Sequence, residues 1–365
     1  MRERLRRDLY DLMMVPGLSG HEERVAKLIR ARLADADVSS RVDRMGNVIA
    51  SFDGDPAIPS VMIFTHMDQL GFFVRKIEDD GLIRVERMGG VSERAMAAQA
   101  VTLCVGEGRD VPGIIMNKAH HATTPDEKYK VVTTPDIRID TGHGSKQAVE
   151  AAGVKIGTPV VYQARIIELA GDRVAGTSVD DRAGCAALLE IARGLAKRDG
   201  TGPTVHVVFS VQEEFNLRGA LVAAQSLKPD IAIQIDLMLA TDTPDMEDRG
   251  EMTLGGGPGI SLYSFHGRGT LNGVIPHPAM VSLFEQTAES LKMPLQRSAQ
   301  VGVLTDLSYV QLVGEGVASI DIGFPMRHSH STVECCDLSD VEAMTRLALE
   351  AIAGIGPNFK LTRET

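Results

Sequence analysis

The chain has 365 residues, 44% hydrophobic and 24% charged, enough to bury a large core and long enough to suggest roughly two domains. Its 49 acidic side chains outnumber 38 basic ones for a formal charge of −11, which argues against nucleic acid or an anionic membrane as the main partner. Four scattered cysteines without zinc-finger spacing, no signal-type h-region after the basic start, and no run of about 18 apolar residues together predict a soluble protein of the reducing cytoplasm.

Leu5, Leu9, Leu12 and Met13 recur at helical spacing, as do Val25, Leu28, Ile29 and Leu33 after the "VPGLSG" turn, so two amphipathic helices open the chain. "NVIASFDG" then reads as a strand with a turn, and "SVMIFTHMD" as a short apolar strand buried on both faces. From Gly71 to about Ala164, short strands alternate with Gly, Asp and Pro turns, the texture of an inserted β-rich domain. The expected organisation is residues 1–70 and 165–365 as two parts of one domain, with 71–164 inserted between them. Beyond the insertion, "DDRAGCAALLEIARGLAKR" reads as a helix, "TVHVVFSVQ" and "DIAIQID" as strands, "HPAMVSLFEQTAESLKM" as a helix, and "GVASIDIGF" as a strand before a last helix from Asp337 to about Ile355. That alternation predicts an α/β core with a mostly parallel sheet and helices on both faces.

Several of these strands run into acids or histidines: His66 and Asp68 after "SVMIFT", Glu213 and Glu214 after "VHVVFSVQ", Asp236 in "DIAIQID", and His328 and His330 after "SIDIGFPMR". Ligands of open α/β sheets bind beyond the carboxyl ends of strands, so these residues should share one rim, with Asp180 and Asp181 added from a helix start. Singly, each has an ordinary reading. Asp180 could cap its helix, Glu213 and Glu214 could face water, and His66 could be a hydrogen-bonded core residue. Those readings do not predict convergence at one end of the sheet. Imidazoles with three or four carboxylates and no cysteine suit a pair of divalent ions such as zinc, cobalt or manganese. The ions would offset the repulsion between Glu213 and Glu214. His120 and His121 read as loop residues, and Cys335 and Cys336 as buried thiols. "GGGPG" lacks the Lys and Ser/Thr of a phosphate loop and reads as a close backbone approach beside the site.

"THMDQLGF", "VDDRAG", "VQEEFNLRGA", "IDLMLATDTP" and "RHSHSTVE", in this order, resemble the signatures of the glutamyl, leucyl and deblocking aminopeptidases that form tetrahedral (TET) particles. The likeness extends to "PGLSGHEE", "DRMGNVIA" and "IDTGHGSKQAVEAAGVKIGTPVV", nearly the whole chain. The resemblance implies a dinuclear metallopeptidase fold with an inserted PDZ-like dimerisation domain. It also implies that His66, Asp180 and Asp236 hold one divalent ion and Asp180, Glu214 and His330 the other, zinc first, with cobalt or manganese as substitutes. Glu213 would be the general base, Asp68 the residue orienting His66, and Asp181 a support of the helix start. The family pattern places the ligand just before Ser331, which favours His330 over His328.

The implied reaction is hydrolysis of the N-terminal peptide bond of short peptides with a free amino terminus, for which Asp306 is a candidate dock. Self-assembly through the insertion into dimers and a twelve-subunit shell follows from the same likeness, with neither nucleic acid nor membrane as partner. Gln69, Asn216, Leu304 and Asp245 depart from the family pattern without removing a proposed ligand. The alternatives are a metal-dependent deacylase or carboxypeptidase, and a noncatalytic oligomeric scaffold. Glycan cleavage ranks low because the chain has no Trp and brings imidazoles to its rim.

Overall fold

The apolar runs lie side by side at the centre of the computed structural model, which describes residues 1–267 and 271–364. Strands Val205–Ser210, Val61–His66, Ile231–Leu239 and Ala318–Arg327 are neighbours in that order, and all three pairings between them are parallel. Val61–His66 is buried throughout and Ala318–Arg327 nearly so, because helices cover both faces. The parallel pairing expected of the sheet holds for this centre and for one pair of strands beside it. Val48–Phe52, Glu334–Asp337, Arg173–Gly176 and Ile166–Glu168 join antiparallel at the two sides, so the twelve-stranded sheet is mixed.

Helices Arg2–Met13, Glu23–Ala34, Val179–Leu195, Pro278–Ser290 and Leu338–Ala353 pack on one face around Leu9, Ile29, Leu188, Phe284 and Leu347. Gly219–Leu227 and the short helix Leu307–Val310 cover the other face against Phe64, Val208 and Ala232. Val179–Leu195 is central to the fold because its Ala- and Leu-rich sequence is buried on every side through Ala192. At its start Asp181 folds back to accept the Gly184 amide at 3.1 Å, and a Cβ at Gly184 would collide with that carboxylate.

The inserted segment closes into a separate six-stranded barrel made of Gly71–Ile77, Ile83–Met88, Ile139–Asp140, Val111–Ile115, Ala100–Leu103 and Pro159–Tyr162. It has its own core of Phe72, Val85, Leu103, Ile115, Ile139 and Val160. Alternating burial along Val111–Ile115 is the period-two signature of a strand with one face inward. Arg24 ties the barrel to the main unit through a two-pronged ion pair with Asp110 at 2.5 and 2.9 Å.

Strands Gly259–Phe265 and Gln296–Val301, which pair in parallel, were not legible in the sequence; the burial of Gln296–Val301 alternates, but its inward residues, Gln296, Ser298 and Gln300, are polar and give no apolar period. The reading of "GGGPG" is corrected in place. Its close backbone approaches are made to Asp340, which accepts the Gly255 and Gly257 amides at 2.7 and 2.8 Å, and to Pro294 and Gln296, not to the rim. All four cysteines are free thiols, and Cys185, Cys335 and Cys336 are buried. Among the described residues no helix is long and apolar enough to cross a membrane.

Candidate metal centre

Register explains why distant residues meet. In the parallel pairing His66 lies opposite Ser210, so the chain leaving Ser210 carries Glu213 and Glu214 directly past His66. Asp236, opposite Gly323, comes from the strand adjoining that of His66, and His330 from the loop that follows Ala318–Arg327. Asp180 enters from the start of the buried helix, and its peptide bond to Asp181 is cis. Among the described residues, six of the ten non-glycine positions with left-handed φ (Ser178, Gln212, Asn216, Leu217, His328 and His330) belong to these rim segments, where such conformations tend to serve a site.

One ligand atom each from His66, Asp180 and Asp236 lie within 4.8 Å of one another, and the same is true of Asp180, Glu214 and His330. Asp180 belongs to both triads with different oxygens. Its Oδ1 lies 3.0 Å from His66 Nε2, and its Oδ2 3.5 Å from His330 Nε2. Glu213 is buried beside them, and all six residues line one open cavity of about 440 Å³.

The electrostatics fit a pair of cations. Burial and repulsion from Glu214, Asp236 and Asp306 outweigh attraction to His66 and hold the Glu213 carboxyl well above its usual range. Burial and Asp180 push Glu214 up to about 7, although His330 opposes them. Asp236 is raised by burial and by Asp181 and Asp180. For the imidazoles burial works downward, but the hydrogen bond to Asp180 and the close Asp68 carboxylate carry His66 well above its ordinary value, and Glu214 and Asp180 carry His330 to about 9. Buried carboxylates in excess of nearby cations, with imidazole nitrogens facing the same gap, are the donor set that hard or borderline divalent ions take.

A layer behind the cavity fixes these side chains. Asp68 is fully buried, accepts the Ser19 hydroxyl and the amides of Glu213 and Glu214 at 3.0 and 3.1 Å, and lies 3.4 Å from His66 Nδ1. At that length the His66 contact is an ion pair rather than a good hydrogen bond. Asp181 is also buried and accepts the Thr65 hydroxyl. His330 Nδ1 meets the Gly90 carbonyl at 3.0 Å, so Nδ1 carries a proton, and it is Nε2, facing Asp180, that would give up its proton to ligate a cation.

Sequence reading missed Glu334. Its Oε2 accepts the Asp180 amide and its Oε1 the His330 amide, each at 2.9 Å, so one buried carboxylate orients a residue of each triad. The signal was the acid closing "RHSHSTVE". Asp306 is corrected as an amino-terminal dock: it is fully buried, accepts the Ser210 hydroxyl at 3.0 Å and does not line the cavity, whereas its neighbour Thr305 does. His328 lines an adjoining depression with Asp245, and His120 and His121 are exposed on the barrel. Of the departures, Asn216 and Leu304 line the cavity, and Asn216 has φ 64°, a conformation Asn tolerates better than most residues. Gln69 lies beneath, accepting the Gly17 amide at 2.9 Å and donating to Ser178 at 2.8 Å.

The model of the M42 glutamyl aminopeptidase family matches residues 46–347. This chain belongs to the M42 family. It is therefore an aminopeptidase, a metallopeptidase that hydrolyses peptide bonds. The Escherichia coli (strain K12) protein SgcX is 38% identical over 348 residues, 95% of this M42 chain and 92% of its own. The solved aminopeptidase from the archaeon Desulfurococcus kamchatkensis superposes with a TM-score of 0.91 at 32% identity, covering 98% and 97% of the two chains. The TET1 peptidase of Pyrococcus horikoshii, described as assembling into a tetrahedron or a large octahedral shell, superposes at 0.85 with 26% identity, covering 95% and 99%.

Proposed function

We propose that this aminopeptidase is dinuclear, with His66, Asp180 and Asp236 holding one divalent ion and Asp180, Glu214 and His330 the other. The observation that carries this is the pair of triads sharing the two oxygens of Asp180. Divalent ions bound by these residues would supply Lewis acidity, lowering the pKa of a bound water and polarising the scissile carbonyl. Glu213, lining the same cavity with a raised proton affinity, takes the water's proton and returns it to the leaving amine. Asp68 positions His66, and Glu334 together with the Gly90 carbonyl positions His330. Zinc is the first choice, with cobalt or manganese as working substitutes.

A carboxypeptidase or an acidic-substrate deacylase needs a cation for the carboxylate, and no Lys or Arg is among the described residues lining the cavity. Short peptides with a free amino terminus are the substrate class. The chain also pairs with itself through the barrel and builds a dodecameric shell. This reading draws support from the TET1 likeness and from Ile114, Met116 and Ile156, large apolar side chains exposed on the barrel. Four free thiols suit a cytoplasmic setting.

The test compares matched free-amine and N-acylated peptides. N-terminal residues should be released from the free-amine set alone, and release should stop on chelation and in Glu213→Gln. Turnover that survives both changes would refute the assignment.

A further inference from the structure

Beside Asp236 the cavity opens into a narrow annex that shares Asp236, Leu237, Leu239, Val303 and Thr305 with it. The annex has about 20 Å³ of free space, room for one water-sized group. Its lining includes two buried polar atoms without a partner, Asp321 Oδ2 and Ser264 Oγ, on residues 3% and 4% exposed. Asp321 lies in the middle of the central strand Ala318–Arg327. Its other oxygen accepts the Thr305 hydroxyl at 2.9 Å, and it has no ion pair among the described residues. Burial pushes its carboxyl up to about 7 against that one hydrogen bond. No described residue lining the annex is Lys, Arg or His. An unpaired buried carboxyl beside a substrate cavity is costly unless something that binds there pairs with it.

We propose that the annex is the specificity pocket for the substrate's first residue, and that it selects a primary ammonium on a straight aliphatic chain, a lysine-type side chain, received by Asp321 Oδ2 and Ser264 Oγ. This rests on the aminopeptidase reading of the neighbouring metal centre. The shared walls of Leu237, Leu239 and Val303 suit the aliphatic stem, while the charged head reaches the annex. A guanidinium is planar and too broad for a space of one water. An acidic side chain meets Asp321 and Asp236 as like charges, and an isosteric apolar chain leaves Asp321 unpaired.

The test uses the metal-loaded, assembled enzyme and X-Ala dipeptides with X as Lys, norleucine, Arg, Leu and Glu. Wild type should favour Lys over norleucine, its uncharged counterpart, by roughly 30-fold in kcat/KM, the scale of a charge-assisted hydrogen bond. Asp321→Asn should bring that ratio to within about 3-fold, and Ser264→Ala should lower it by about 3- to 10-fold. The Ser264 variant and the wild-type panel keep the test decisive if Asp321→Asn does not fold. No Lys preference in wild type, or an unchanged ratio in Asp321→Asn, overturns the pocket and leaves the metal centre standing. No release from any dipeptide overturns the aminopeptidase reading, and this inference falls with it.

Discussion

Replacing Gly90 with Ala tests how the barrel side of the molecule holds the metal centre. Gly90 follows strand Ile83–Met88, outside the main unit, yet its carbonyl receives His330 Nδ1 at 3.0 Å. Its φ is not left-handed, so the backbone accepts alanine; the conflict is with the ring alone. A Cβ there would lie 2.6 Å from His330 Nδ1 and 3.0 Å from Cε1. Restoring van der Waals separation moves the ring by about 1 Å. Metal–ligand distances tolerate only about 0.2 Å. The shift also disrupts the hydrogen bond that fixes the ring, a loss worth about 10- to 100-fold in affinity on its own. Calorimetric titration of metal-free protein with zinc or cobalt should therefore show the site of Glu214 and His330 weakened at least 10-fold in Gly90→Ala, with the site of His66 and Asp236 retained. Gly144→Ala, where a Cβ meets nothing within 4 Å, is the control. Wild-type affinity at both sites in Gly90→Ala would refute the role given to this contact.

Stability of the metal-free protein should fall as pH rises. Glu22, Glu214, Asp306 and Asp321 are each held up to about 7, chiefly by burial, and His330 stands at about 9. All these folded-state values exceed the unfolded ones, so the contributions are complete at low pH and are lost as pH climbs through the folded values. Denaturant midpoints should decline between about pH 5 and 9 without metal and flatten when metal is bound; a metal-free midpoint that rises over this window would contradict it. Glu213→Gln should lower kcat by about 10²- to 10⁴-fold while keeping both ions, as counted by atomic emission. Loss of an ion in that variant would make Glu213 a ligand instead.

The parts of this protein that are legible in its sequence are those where one physical constraint dominates. A strand buried on both faces must be apolar from end to end, so "SVMIFT" and "VHVVFS" announce both their place and the rim at which they stop. His66, Glu213 and Glu214 can be read from those ends, and Asp236 from the apolar run "DIAIQI". Glu334 could not, because a single acid in a loop gives no sign that it receives two amides. Asp306 and Asp321 show the limit from opposite sides. Both are acids in apolar surroundings, but only packing shows that Asp306 turns inward to Ser210 while Asp321 borders open space. The left-handed turns at Gln212, Asn216 and Leu217 likewise carry no Gly to mark them.

The claim on which the rest depends is that Asp180 holds two ions at once. Anomalous diffraction at the metal edge from crystals grown with excess zinc or cobalt measures it directly. Two peaks separated by about 3.5–4 Å are expected, one next to His66 and Asp236 and one next to Glu214 and His330, with an Asp180 oxygen bonded to each. A single peak, or two peaks with Asp180 bound to only one of them, would contradict it.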